Sequence, residues 1–413
     1  MNYNELSGKS ILLLGKTRAL NMEEFDTLLK LHKIERIDSY NDEVALIIEG
    51  RMMNPYEQAE SARLYEMQSC PIVELSGVEE WLCRSIEPNR LLMSLKLSRN
   101  QERLVDFLQN PYITDELFFK LLKLYDWQNE GLFDNDTNRD VTASIIGRFY
   151  ADLDRNHNVQ YAMSGLAHLI ERYGNAELIE AVSQLAPIAH EIKNPTDRSY
   201  NGVLDAIALH PDTPESLLRL LIKERSELLA HRVPLSLEEE LLKVEKLHPI
   251  LAQNESLSRR GAQLLADTAG ELLAKHIVLD EGWFERFAAV YPLQLASNPT
   301  LNETMQEVLI QSNNDEVVNI LASNSALSAS RCTYLHTSGR FSASLAANPS
   351  LPDTILEELS QSNDPSVLGA LASNPSTPID VLYQLSLDQR FERSVKTNPT
   401  FGKHIQTHNI GWS

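Results

Sequence analysis

Gly15-Lys16-Thr17 and Gly8-Lys9-Ser10 are the residues of this chain nearest in type to a phosphate-cradling loop, in which backbone amides, a lysine and a hydroxyl converge on an anion. Such a loop also needs a glycine five residues earlier so that its amides can curl around the phosphate. Ser10 and Tyr3 stand at those places, so no nucleotide is expected. Asp134-Asn135-Asp136-Thr137-Asn138-Arg139-Asp140 and Asp152-Leu153-Asp154-Arg155-Asn156-His157-Asn158 space their oxygens as a calcium loop does. Arg139 and His157 replace the turn glycine, however, and Ile145 and Met163 replace the closing glutamate, so these groups read as loop and helix-cap residues. His404 and His408 share a helix face but have no third ligand. There is no Cys–His pair and no serine nucleophile elbow. The sequence therefore assigns no catalytic, cofactor-binding or metal-ligating residues, and it leaves the binding residues unassigned. Lys96, Arg99 and Arg103, preceded by Arg90, form a small basic stripe at helical spacing that reads as a solvated helix face.

What must position these residues is a chain of 413 residues, longer than one ordinary core serves. Its 43% hydrophobic and 23% charged residues are a globular composition. The formal charge of −21 repels phosphate backbones, so nucleic acid is not the expected partner and basic or neutral proteins are suitable ones. Cys70, Cys83 and Cys332 are too few and too scattered for a disulfide framework, which points to a cytoplasmic setting. The N-terminus has neither a signal-peptide pattern nor an apolar stretch that could span a membrane.

The organising feature is repetition. Leu-Ala-Ser-Asn-Pro-Thr at 295–300 recurs in variants at 321–325, 345–350, 371–376 and 395–400, placing Asn298, Asn324, Asn348, Asn374 and Asn398 at intervals of 26, 24, 26 and 24. Steps of 22 backwards reach His276, Asn254, Arg232 and His210. Each unit reads as two short helices. Thr377 serves as an N-cap before Pro378, and Asp364-Pro365 repeats the device; Ile379, Val381, Leu382 and Leu385 supply an apolar face. A unit this short cannot bury its own stripe, so units must stack. The asparagines read as turn residues that hydrogen-bond backbone between units. On that reading Asn374→Ala costs about 1 kcal/mol, as a lost cap does, against about 2–5 kcal/mol for Leu371→Ala in the stacked core.

This pattern resembles the leucine-rich variant repeat over roughly 290–400, and between 200 and 290 it is nearer to HEAT or armadillo repeats. The resemblance implies a right-handed helical solenoid with a binding or scaffolding role. One arrangement in that family carries a cysteine-ligated iron–sulfur cluster before the repeats, but this chain has no cysteine group there and no cofactor is expected. Leu108-Gln109-Asn110-Pro111 looks like an early copy. The stretch 126–138 is loop-like, and helices are predicted at about 139–152, 157–173 and 176–190.

Residues 9–85 do not repeat. Strands are predicted at 10–15, 44–48 and 70–75, with helices at 22–33, 55–67 and 77–85, an alternation expected of an α/β sheet. The order, with Pro71-Ile72-Val73 before a helix carrying Trp81 and Ser85, resembles a BRCT domain, a family used for protein–protein contact. Phosphopeptide-binding members place Ser or Thr before the glycine after the first strand and a lysine in the second helix. Leu14 and Gln58 stand there instead, so the resemblance does not carry phosphate recognition over.

The expected architecture is mainly α: a BRCT-like α/β domain (1–90), a helical region with an early repeat copy (91–200) and a leucine-rich-variant-like α-solenoid (201–413). Fragments 1–90 and 91–413 are expected to fold separately. The expected function is a non-enzymatic protein-binding adaptor or scaffold with protein partners of unassigned identity; the alternative is a DNA-associated repair or replication accessory protein.

Overall fold

The computed structural model describes residues 3–68, 70–151 and 159–408. The chain is mainly helical with one small sheet near its N-terminus, and it divides into two compact units, Met1–Leu221 and Ile222–Ser413. Among the described residues no helix is long and apolar enough to cross a membrane.

The sheet is built from β1 (Ser10–Leu14), β2 (Glu35–Ile37), β3 (Val44–Glu49) and β4 (Ile72–Glu74), all parallel, in the order β2-β1-β3-β4. The unbroken apolar runs of β1 and β3 follow from their central positions, where both faces are covered. Leu12, Leu14, Val44, Ile47 and Leu64 form one buried cluster. Strand β2 was invisible in the pattern because it is a three-residue edge strand with half-buried and exposed side chains. Helices α1 (Met22–Leu31), α2 (Pro55–Met67) and α3 (Leu75–Cys83) complete the module. Asn54 and Glu57 close the start of α2 with a reciprocal capping box. Trp81 packs its ring against His32 at 4.2 Å and Tyr3 at 5.5 Å.

Helices α4 (Pro88–Ser98), α5 (Gln101–Gln109), α6 (Asp115–Leu122) and α7 (Asp136–Phe149) follow within the same unit. Asn21 donates to Asp106 at 3.0 Å, and Arg103 pairs with Glu24, so α1 is tied to α5. The compact unit therefore continues far past residue 90. A cut there would sever α4, whose buried Leu91 and Leu95 pack it beside α5 and α6. The expected helix 176–190 is two helices, Ala176–Ser183 and Ala186–Lys193, because Pro187 begins a new one. The other two expected helices are shifted, to 136–149 and 163–173.

Buried Glu191 accepts bonds of 2.8–3.0 Å from the Thr196 and Asp197 amides and the Thr196 hydroxyl. Burial pushes its carboxyl up, but these donors outweigh burial and hold it below its ordinary value of 4.5. A group lowered in this way stabilises the fold above its unfolded value and loses that contribution as pH falls through its folded value. Glu191→Gln is therefore expected to flatten the fall in melting temperature on the acid side of 4.5. Parallel melting curves for the two proteins would show that these hydrogen bonds carry no linkage.

In the second unit, short helices pack in two alternating sets. The helices Gly270–His276, Pro292–Ala296, Asp315–Ala322, Ser342–Ala346, Pro365–Ser373 and Glu392–Thr397 pack each on the next. Each also packs on a neighbouring helix in sequence, such as Glu303–Gln311 or Asp353–Ser360. Thr377 does not cap Ile379–Ser386; its hydroxyl turns back to the Leu371 carbonyl at 2.7 Å, as Thr213 does to Ile207 at 2.5 Å. Asp364 does cap its helix, accepting from Ser366.

Candidate functional site

The recurring asparagines are buried and bridge from unit to unit. Each side-chain amide of Asn324, Asn348, Asn374 and Asn398 donates to the main-chain carbonyl of the preceding asparagine. Each also donates to the carbonyl of the alanine two residues before that one, at 2.7–3.1 Å throughout. The side-chain oxygen accepts the amide two residues on, at 2.8–2.9 Å. One residue thereby satisfies the open carbonyls of the previous short helix and forms its own turn. Asn254 does the same with Ala230 and Arg232.

The ladder is imperfect where the residue type changes. Asn298 donates to Ala274 and to Ile277, one position past His276. His276 itself is largely exposed, and partial desolvation with the nearby Lys275 charge holds its imidazole below the ordinary value. Arg232 sends its guanidinium to the Pro234 carbonyl and the Ser236 hydroxyl. His210 accepts the Asp212 amide through Nδ1, imitating the asparagine turn. Asn110 accepts from Tyr112 as the ladder residues do, but its amide meets the Cys83 sulfur at 3.4 Å. Burial pushes the Cys83 and Cys332 thiols up to about 11.

Two further rows join successive repeats within the second unit at half-buried and exposed positions. Gln294 donates to Glu271 at 2.7 Å and Ser344 to Asn319 at 2.6 Å along the short helices. Ion pairs join successive repeats as Arg260–Glu239, Arg286–Asp267 and Arg331–Glu307, and the His336 ring lies at 2.8 Å from the Glu358 carboxylate.

In the front module, the crevice at the carboxyl ends of β1 and β3 is where an open parallel sheet changes direction and ordinarily accepts ligands. Here it is closed from within. The Gly15 amide, at φ +86°, donates to the Glu57 carboxylate at 3.1 Å, and Lys16 and Arg51 exchange backbone hydrogen bonds at 2.7 and 2.8 Å. A side chain at Gly15 would meet the Arg51 carbonyl at 2.6 Å, so the close approach needs glycine. A second internal acid, Glu79, accepts the amides of Arg18, Ala19 and Leu20 on one oxygen at 2.8–3.2 Å, while its other oxygen is buried without a hydrogen-bond partner. Glu79 escaped the sequence reading. Its signal was an acid within the apolar stripe Leu75, Val78, Leu82 of α3.

A cavity of about 610 Å³ is lined by Arg18, Gln109, Asn110, Ser144, Arg148 and Tyr161, among others. Arg148 is already committed to Asp115 and to the Asn110 and Ile113 carbonyls. The 134–140 oxygens are likewise spent on local structure: Asn135 caps α7, Asp134 accepts from Gly131, and Asp136 pairs with Arg139. The similar sequence at 152–158 lies outside the described residues. His404 and His408 stand with ring centres 4.3 Å apart, and no group of three metal-ligating side chains occurs among the described residues. Of the basic stripe, Arg103 is withdrawn into its pair with Glu24 and a bond to Ser94. The chain matches no protein-family model, no curated protein and no solved structure.

Proposed function

We propose that this chain is a non-enzymatic protein-binding adaptor or scaffold, an α-solenoid of short helical repeats preceded by a BRCT-like contact module. The observation that carries this reading is the asparagine ladder. It joins each short helix to the next through paired buried hydrogen bonds, which suits a long surface held in fixed register. The row from Gln294 to Ser344 is polar and uncharged at Gln294, Asn319 and Ser344, half-buried at the first and last and exposed at Asn319, and supplies the contact face. The front sheet, with its parallel order β2-β1-β3-β4, supports a BRCT-like module, and Glu57 on the Gly15 amide argues that this module contacts its partner without a phosphate.

The test is a photo-crosslinker placed at Asn319 of the full-length protein in its native cell. One reproducible protein partner is expected, and Gln294→Arg with Ser344→Arg should abolish its capture while the melting temperature is kept. Duplex DNA should bind no more tightly than about 10⁻⁵ M at physiological salt, within the non-specific range. A nanomolar DNA complex weakened by charge reversal at Lys96 and Arg99 would replace the adaptor reading with that of a DNA-associated accessory protein.

A further inference from the structure

The basic stripe expected on one helix is divided by the chain: only Arg90 and Lys96 lie on α4, which is eleven residues long, while Arg99 is its left-handed C-cap and Arg103 belongs to α5. Leu91 and Leu95 bury one edge of α4. At about 100° per residue, Met93 falls opposite that edge and Leu97 beside it, with Arg90 and Lys96 each about 60° from Met93, on either flank. Met93 is 58% and Leu97 78% exposed. Arg90, Lys96 and Arg99 are exposed and have no ion-pair partner among the described residues, whereas Arg103, also in the stripe, is paired. Lys96 and Arg99 at the helix C-terminus suit the helix dipole, but Arg90 in the first turn opposes it. The dipole therefore does not account for the full set.

An apolar centre with cations on both flanks is the complement of a helix bearing an apolar stripe bordered by carboxylates, the arrangement in which flanking charges select a partner helix and set its register. We propose that the outward face of α4 is a docking site for an acidic amphipathic helix of a partner protein. This rests on the adaptor reading and names the partner's chemistry. A phosphate backbone would use the cations and leave Met93 and Leu97 bare. The chain's net charge of −21 opposes an acidic partner at long range, so the attraction is local, carried by Arg90 and Lys96 on either side of Met93 and Leu97.

The experiment uses the full-length protein and a fluorescent synthetic helical peptide with leucines at i, i+3, i+4 and i+7 and glutamates flanking them. A peptide of the same composition in scrambled order, a duplex DNA and phosphatidylserine vesicles serve as alternative probes. The ordered peptide is expected to bind in the micromolar range and to weaken as salt rises. Arg90→Glu with Lys96→Glu should reduce binding at least tenfold, and Met93→Ser with Leu97→Ser should do the same, with melting temperatures unchanged. Equal binding of the scrambled peptide, or indifference to either variant pair, overturns the proposal. So does tight binding of DNA or vesicles that is lost on charge reversal but kept by the serine variants. Failure of the ordered peptide to bind the unmodified protein, with the Asn319 crosslink still formed, would sink the α4 proposal alone, whereas absence of the crosslink would sink the adaptor reading.

Discussion

Glu79→Ala is expected to destabilise the front module by about 3–5 kcal/mol, since each buried donor left without an acceptor costs about 1–3 kcal/mol. One oxygen of Glu79 accepts the three successive amides of Arg18, Ala19 and Leu20, and the residue is 0% exposed. These amides have no strand or helix to turn to, because they lie in the connection between β1 and α1. Glu79→Gln keeps an oxygen in place and is expected to cost less than half as much. Urea unfolding of the full-length protein, with hydrogen exchange followed at residues 15–31, reads both effects. If Glu79→Ala lost under about 1 kcal/mol and left exchange at 18–20 slow, water would be serving those amides and the carboxyl would be dispensable. Because α1 also carries Glu24 and the cap Asn21, both tied to α5, a loosened connection should speed exchange in α5 as well.

Asn348→Ala is expected to cost about 3–5 kcal/mol, as much as Leu371→Ala at about 2–5 kcal/mol. Counted as a turn cap alone, an asparagine of this kind would cost about 1 kcal/mol. The difference lies in its partners. Asn348 is 0% exposed and gives two hydrogen bonds to the preceding unit, so removing it orphans the Ala322 and Asn324 carbonyls as well as the Ser350 amide. Asn348→Asp should be nearly as harmful, because a carboxylate cannot donate to either carbonyl. Thermal unfolding and hydrogen exchange at 319–326 measure this. A loss near 1 kcal/mol, or exchange changes confined to 348–351, would reduce the ladder to a row of independent turns. Substitution at exposed His276, whose neighbour Ile277 supplies the carbonyl that Asn298 uses, should cost far less.

The recurrence of the asparagines, the apolar stripes between them and the central strands of the front sheet were legible in the amino-acid sequence. Each depends on local pattern: a repeated environment selects a repeated residue, and a strand covered on both faces reads as an unbroken apolar run. Edge strand β2 left no such mark, and Pro187 divided a stretch whose periodicity alone suggested one helix. Tertiary structure alone decided which partners the polar side chains would find. Glu79 reaches amides 59 to 61 residues away, Glu57 takes the Gly15 amide 42 residues away, and Arg103 leaves its stripe for Glu24, 79 residues away. A buried polar group must be satisfied by whatever the fold brings beside it, and sequence spacing carries no information about that neighbour until the chain has closed on itself.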